Sequence, residues 1–268
     1  MQLTLHTQLL KSIPLEEALK LAGASGFEAV CIGEEHLTSG TSVSGDEIAG
    51  WAQEYEIEVA ALDAGTGKFM EAGDSNQAFE KASGAVELAL ATGCPRVLLH
   101  PSRRPVRPTD LFEHVKQESL WIQKLLDAFE APPQVLLYIT PMTLAHDPFS
   151  AIGMLQWVDR LDARLVYDPA LLYQNRMEVS AEALSRVEDR LGILMLRDFR
   201  LDEGKAVDTP FMQGIQQFDP LVRQLLRAHF DGCLIMGSHF TPGEGISLEE
   251  VLERERRLAE KMLAEAAE

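Results

Sequence analysis

The chain has 268 residues, about the size of one α/β barrel and long enough to bury a large core. Twenty-four basic residues stand against 42 acidic ones, and the net charge of −18 opposes nucleic-acid phosphates and anionic lipid as partners. No apolar run approaches the roughly 20 residues of a membrane span, no basic leader precedes the first strand-like run, and Cys31, Cys94 and Cys233 lack CxxC spacing; the expectation is a cytoplasmic protein without disulfides or a zinc knuckle.

Eight short apolar runs read as β-strands, each followed by a segment with helical periodicity. The first, 3–6, leads to a helix with Pro14 in its first turn and the stripe Leu15, Ala18, Leu19, Ala22. Gly26 ends that helix, and strand two at 29–32 closes on Gly33-Glu34-Glu35-His36. Ser44 and Glu47 have capping-box spacing and open a helix through Trp51 to Tyr55. Strand three, 59–62, ends at Asp63 before a flexible Gly65-Thr66-Gly67. The next helix places Ala78, Phe79, Ala82, Val86 and Leu90 on one face and stops at Gly93.

Strand four, 97–100, ends in His100. A Pro- and Arg-rich loop, 101–108, precedes a long helix containing Val115, Leu120, Ile122 and Leu126. Strand five is 135–139, and Asp147-Pro148 reads as N-cap plus first-turn proline. Strand six, from Leu165, must stop at Asp168-Pro169, because proline cannot donate to a ladder and drives its predecessor extended. A helix around Ala183, Leu184 and Val187 leads to strand seven, 193–196, which ends in Arg197-Asp198. Asp219-Pro220 starts another helix, strand eight is 233–236, and Ser247 with Glu250 caps a last helix with Leu248, Val251, Leu252, Leu258 and Met262 inward.

The strands are near-continuous apolar runs, so both faces are covered. Eight βα units without a GxGxxG after strand one predict an α/β fold of the (β/α)8 TIM-barrel type rather than a doubly wound sheet. No linker or composition break divides the chain, so one domain over 1–268 is expected. Trp51, Trp121 and Trp157 fall in helices, as packing residues. Carboxyl ends of barrel strands build active sites, which makes Asp168 a functional candidate; its other reading is a cap for the turn that follows.

In this order the segments resemble the xylose isomerase-like TIM barrels, a group of sugar and sugar-phosphate isomerases and epimerases with the endonuclease IV type of abasic-site nuclease as a relative. The likeness is carried by Pro14-Leu15-Glu16-Glu17-Ala18-Leu19 with Gly26-Phe27-Glu28-Ala29-Val30, by Pro95-Arg96-Val97-Leu98-Leu99-His100-Pro101, and by Leu165-Val166-Tyr167-Asp168-Pro169. Leu196-Arg197-Asp198 and Phe230-Asp231-Gly232-Cys233-Leu234 complete it. The resemblance implies one divalent metal (Mn, Mg, Zn or Co) held by a Glu ending strand five, an Asp ending strand six, a His on strand seven and a Glu on strand eight. The two Glu residues would be the acid/base pair. Carried over by position, only Asp168 matches. Strand five offers Ile139 or Thr140, the His falls at Met195, the last Glu at or near Met236, and the turn where many relatives place a His has Leu171. A thioether and an aliphatic chain supply nothing to Mg²⁺ or Mn²⁺, so the metal site reads as dismantled, with Asp168 and His100 the remaining ligand candidates and no cofactor assigned.

His100 stands where nuclease-type relatives keep a metal-binding His; it faces the cavity or is satisfied by neighbouring backbone. Asp63 pairs with it or caps a turn. One of Glu34, Glu35 and His36 is expected to point inward, His6 is a hydrogen-bonded core residue, and His239 either replaces the strand-eight ligand or is a loop residue. Arg103, Arg104 and Arg107 form an anion site, since guanidinium grips phosphate or carboxylate bidentately, or else pair with surface carboxylates. Arg197 and Asp198 read as an ion pair across the mouth with Arg197 reaching the ligand, and Phe69, Phe199 and Phe240 as an apolar wall.

These residues predict an isomerase- or epimerase-like protein for a small sugar or sugar phosphate, monomeric or homo-oligomeric, with no nucleic acid or membrane partner. Its catalytic pair would be Asp168 and His100, with Arg103, Arg104, Arg197, Asp63, Glu34 and His239 as substrate contacts. A barrel that binds carbohydrate or a partner protein without turnover is the alternative. An abasic-site endonuclease ranks last, opposed by the charge and the missing ligands.

Overall fold

The computed structural model describes residues 1–38, 43–71, 75–237 and 246–268, so His239 and Phe240 lie outside the described residues. Among the described residues ten strands form, in chain order: β1 (Gln2–His6), β2 (Ala29–Ile32), β3 (Glu58–Gly67), β4 (Arg96–His100), β5 (Gln134–Tyr138), β6 (Ala163–Tyr167), β7 (Leu191–Leu196), β8 (Asp198–Asp202), β9 (Lys205–Thr209) and β10 (Cys233–Met236). Eight of them close into a parallel barrel in the order β1-β10-β7-β6-β5-β4-β3-β2. The strand that completes the predicted eight is therefore β10, and β8–β9 is a separate antiparallel hairpin. No helix among the described residues is long and apolar enough to cross a membrane.

Alternation along each strand sorts the apolar residues into two cores. Leu98, Leu136, Val166, Ile193, Cys233 and Ile235 fill the barrel interior. Their neighbours Val97, Leu137, Leu165, Leu194 and Leu234 face the helices in a much larger outer core. At roughly 1.5–3 kcal/mol for each buried aliphatic chain, this burial on both faces is a large part of what holds the barrel and its helices together. The layer that continues the interior alternation at the carboxyl ends is polar, and it forms the mouth.

Local signals place the helices as expected. Ser44 and Ser247 make full capping boxes with Glu47 and Glu250, and Asp147 makes one with Ser150 behind Pro148. Helix α4 (Ser75–Thr92) stops before Gly93, whose φ of +69° only glycine takes freely. All three tryptophans do lie in helices: Trp51 in α3 (Gly45–Glu54), Trp121 in α5 (Leu111–Asp127) and Trp157 in α6 (Pro148–Val158).

Three expectations are corrected, and one element is new. Gly65-Thr66-Gly67 is not a flexible loop: β3 bulges after Leu62 and then pairs Thr66 with Leu99 and Gly67 with His100. Gly67, at φ +110°, lets the backbones approach so closely that a Cβ there would sit 2.4 Å from the His100 carbonyl oxygen. Leu90 does not share the buried face of Ala78, Ala82 and Val86: it is 47% exposed, because α4 turns Ala89 inward instead. Phe69 and Phe199 form no wall: both are fully buried, Phe69 stacked 6.2 Å from Trp121 and Phe199 5.6 Å from Tyr173. The β8–β9 hairpin lies outside the eight strands that the sequence predicts. Glu203 and Gly204, both at positive φ, link the strands in the two-residue turn whose twist suits a hairpin.

Candidate functional site

Two groups of side chains face each other across the mouth. The first joins β1, β3 and β4. His100 Nε2 lies 2.8 Å from Asp63 Oδ1, and His6 Nε2 lies 3.8 Å from Asp63 Oδ2. The Gln8 amide donates to His6 Nδ1 at 3.2 Å, so a neutral His6 carries its proton on Nε2, toward the carboxylate. The Gly65 amide also donates to Asp63 Oδ1, at 3.2 Å. Both expectations for Asp63 therefore hold at once: it pairs with His100 and caps a turn.

Burial by itself would raise the Asp63 carboxyl, but the His100 charge and hydrogen bond, with help from His6, hold it well below the usual carboxylate range. His100 answers in the other direction. Burial lowers its pKa, and Asp63 more than offsets that, leaving it raised.

Glu34 and Glu35 open helix α2 (Glu34–Thr38) beside this group. A Cβ on Gly65 would overlap the Glu34 carboxylate, and a Cβ on Gly33 would meet His6 Cε1 at 2.7 Å and Glu35 Oε2 at 3.1 Å. The two glycines make room for these carboxylates at the mouth. His36 turns away: Thr7 Oγ1 lies 2.9 Å from its Nδ1 and the Ile13 carbonyl 3.1 Å from its Nε2, a structural arrangement.

The second group joins β5, β6 and β7 around Asp168, which is fully buried. The Leu171 amide donates to its Oδ1 at 3.0 Å, capping helix α7 (Pro169–Gln174). Tyr138 Oη donates to its Oδ2 at 3.0 Å, and Arg197 Nη1 lies 3.5 Å from the same oxygen. Asp168 is thus a cap on one oxygen and a mouth residue on the other. Burial, then the Asp168 charge, drive the Tyr138 phenol well above its ordinary value and keep it protonated. Arg197 is 14% exposed, and its buried Nε has no hydrogen-bond partner among the described residues. The His100 and Tyr138 rings stack at 5.3 Å and 15°, linking the two groups.

The expected Arg197–Asp198 pair does not form. Asp198 is buried and accepts the amides of Phe199 (2.8 Å), Gly214 (2.8 Å) and Gln216 (3.1 Å), tying down the loop behind the hairpin. Successive residues of an extended strand point to opposite faces, so these two side chains part.

Alternation also fixes the positions left open for the metal ligands. Ile139 and Met236 lie in the outer core, so neither faces the mouth. Thr140 lines the cleft beside His100, Met195 lies in the barrel interior, and a Cβ on Gly237 would meet Met195 Cε at 2.7 Å. Leu171 packs against the interior cluster. Among the described residues no three His, Cys, Asp or Glu side chains are placed to hold a metal ion.

A cleft of about 750 Å³ opens outward from His100 and Thr140, within the range of small-ligand sites. Lys68, Glu71, Arg103 and Arg104 line it, together with Pro105 and Met142. Arg107 does not; it pairs with Asp110 at 2.9 Å on an exposed turn. Lys68, Glu71 and Glu118 are not among the residues that the sequence marks. Glu118 sits mid-helix, yet it is buried, accepts the Ser102 amide at 2.7 Å and the Ser102 hydroxyl, and is pushed up to about 7 by burial. Ser102 Oγ in turn accepts the Met70 amide at 2.9 Å, so Glu118 fixes the backbone after His100.

A parallel eight-stranded barrel with a polar mouth at its strand carboxyl ends defines the class. The chain matches the family profile described as xylose isomerase-like TIM barrel over residues 16–262, and it belongs to that family. No curated protein matches it. Among solved structures, it is similar to the IOLI protein with a bound zinc atom (18% identity, 99% of each chain, TM-score 0.82). It is similar too to D-psicose 3-epimerase with D-tagatose from Clostridium cellulolyticum H10 (12%, 100% of each chain, 0.79). A third is the probable 3-DHS dehydratase AsbF from Bacillus anthracis (14%, 97% of this chain and 99% of that one, 0.78). Identities this low establish the shared fold.

Proposed function

We propose that this barrel isomerises or epimerises a small sugar or sugar phosphate by proton transfer, with Arg197 in place of a divalent cation. One observation carries the reading: the Asp63–His100 dyad and the Asp168-held Arg197 face one mouth and are joined by the His100–Tyr138 stack. With Nε2–H turned to Asp63, neutral His100 keeps Nδ1 as the basic nitrogen. It takes the proton from the carbon beside a carbonyl, and Arg197 donates to the oxygen on which the negative charge develops. For isomerisation, the imidazolium then returns the proton to the former carbonyl carbon while the neighbouring hydroxyl proton passes to the former carbonyl oxygen, which rebuilds the carbonyl one carbon along. For epimerisation, it returns the proton to the carbon it came from, on the opposite face, after the enediolate has turned over in the site. Tyr138, held neutral, adds no competing charge. The fold relatives include an epimerase with D-tagatose, which supports a small polyhydroxylated substrate.

The residues around Asp168 do not fit a divalent metal. A guanidinium 3.5 Å away already supplies the positive charge, and the other partners of this carboxylate among the described residues are a phenol and a backbone amide. No step is routed through a metal. The test is elemental analysis beside turnover of five- and six-carbon sugars and their phosphates, before and after chelator treatment. Activity that survives chelation and falls at least ~100-fold in His100→Ala supports the reading. Stoichiometric Mn, Zn or Mg whose removal abolishes turnover sinks it.

A second reading, a carbohydrate-binding barrel without turnover, is favoured by Met195 reaching over Gly237. Ligand binding with no turnover of any sugar in that panel selects it.

A further inference from the structure

Resting on the reading of this mouth as a sugar site, we infer that the outer cleft is a phosphate subsite made by Lys68, Arg103 and Arg104, so that the substrate is a phosphate monoester rather than a free sugar. The cleft is built from the ends of β3, β4 and β5, and His100 and Thr140 form its inner end. A ligand lying along it has one end at His100 and the other among the three cations.

The cations stand on anchored backbone. The Arg104 amide donates to the Met142 carbonyl at 3.0 Å, the Leu144 amide to the Ser102 carbonyl at 2.8 Å, and Arg103 bridges to Thr143 in antiparallel fashion. The Arg103 amide donates to Glu71 Oε1 at 2.5 Å, and buried Glu118 holds Ser102. Across the cleft, the Lys68 amide donates to the His100 carbonyl at 2.8 Å with Lys68 at φ +54°. A non-glycine residue in left-handed geometry is held there by its surroundings, which is a pattern of ligand clamps.

Fixed main chain leaves the side-chain ends available. Among the described residues no carboxylate lies within ion-pair distance of Lys68, Arg103 or Arg104, although the chain carries 42 acidic residues. Glu71, the carboxylate that lines the cleft with them, is occupied by the Arg103 amide. Among the described residues that line the cleft, three cations stand beside one carboxylate, an excess of two positive charges that matches a phosphate dianion and overmatches a monovalent carboxylate. In a protein of net charge −18, such a patch also draws an anion to this one side of the mouth.

Calorimetric titration of the whole chain with inorganic phosphate, ribose 5-phosphate, ribose and ribonate tests this, in wild type, in Arg103→Ala/Arg104→Ala, in Lys68→Ala, and in Arg107→Ala as a control off the cleft. The expected result is binding of ribose 5-phosphate at least tenfold tighter than ribose or ribonate. The double variant loses at least tenfold, Lys68→Ala loses severalfold, and Arg107→Ala stays within twofold. Phosphate binding that ignores the double variant, or ribonate and ribose binding as tightly as the phosphate ester, overturns the subsite. A His100→Ala variant separates the two claims: retained phosphate-ester binding without turnover leaves the subsite standing whatever the chemistry. Turnover of a neutral sugar as efficient as that of its phosphate ester, with the ester's turnover unchanged in the double variant, removes the subsite and spares the proton-transfer reading.

Discussion

Asp63 and His100 set each other's ionisation, and their signs oppose. His100 is raised by Asp63 against a burial effect that lowers it. If neutral His100 is the base, the rate climbs as pH rises through that raised value, above the ordinary value of about 6.5. Asp63→Asn removes what raises it and leaves the burial, so the ascending limb should move to lower pH while the maximal rate falls; a pH–rate profile of both proteins checks this. Stability follows the same sign. The ion pair's contribution is present once Asp63 is ionised and is lost as pH rises through the His100 value, so the stability gap between wild type and Asp63→Asn should narrow in alkaline denaturant titrations. Sequence reasoning reached His100, Asp63, Asp168 and Arg197 because each ends a readable strand. It did not reach Tyr138 or Glu118, since a tyrosine within an apolar strand and a glutamate within a long helix carry no local mark of the partner that folding brings to them.

Among the elements, β3 and β4 are welded where the site needs them to be. Gly67 sits at φ +110° against the His100 carbonyl, and no relaxation of a side chain can relieve the backbone overlap that a Cβ would create. Gly67→Ala should therefore cost roughly 2 kcal/mol or more of stability in chemical denaturation. It should also weaken activity by shifting His100, whereas Gly84→Ala, with open space around its Cβ, should not. The capping boxes and the proline-led helices were legible because their grammar spans only four residues. The β3 extension was not: glycines that permit close approach look the same on paper as glycines that permit motion. The β8–β9 hairpin escaped for a related reason, its polar outer strands giving no buried stripe to read.

At the scale of the whole molecule, the charge balance works against the fold even as it sharpens the cleft. An excess of 18 negative charges repels itself across the barrel surface, and salt shortens the reach of that repulsion to about 8 Å at 0.15 M. Thermal stability should consequently rise when NaCl is increased from near zero to about 0.15 M, while binding of a phosphate ester weakens over the same interval; scanning fluorimetry beside calorimetry reads the two opposed trends. A flat melting temperature would place the acidic excess where local pairs already neutralise it, such as Glu253–Arg257 and Glu260–Arg256 along α10 (Leu248–Ala267).

The hairpin offers a practical handle on the mouth. Its first residue, Asp198, follows Arg197 directly and is clamped by three amides, while its tip at Glu203-Gly204 stands in solvent. A dye attached at that tip would ride on the same stretch of chain as the guanidinium, outside the cleft and clear of the barrel wall. Occupancy could then be followed by an optical signal in a protein whose three tryptophans all belong to helices rather than to the mouth.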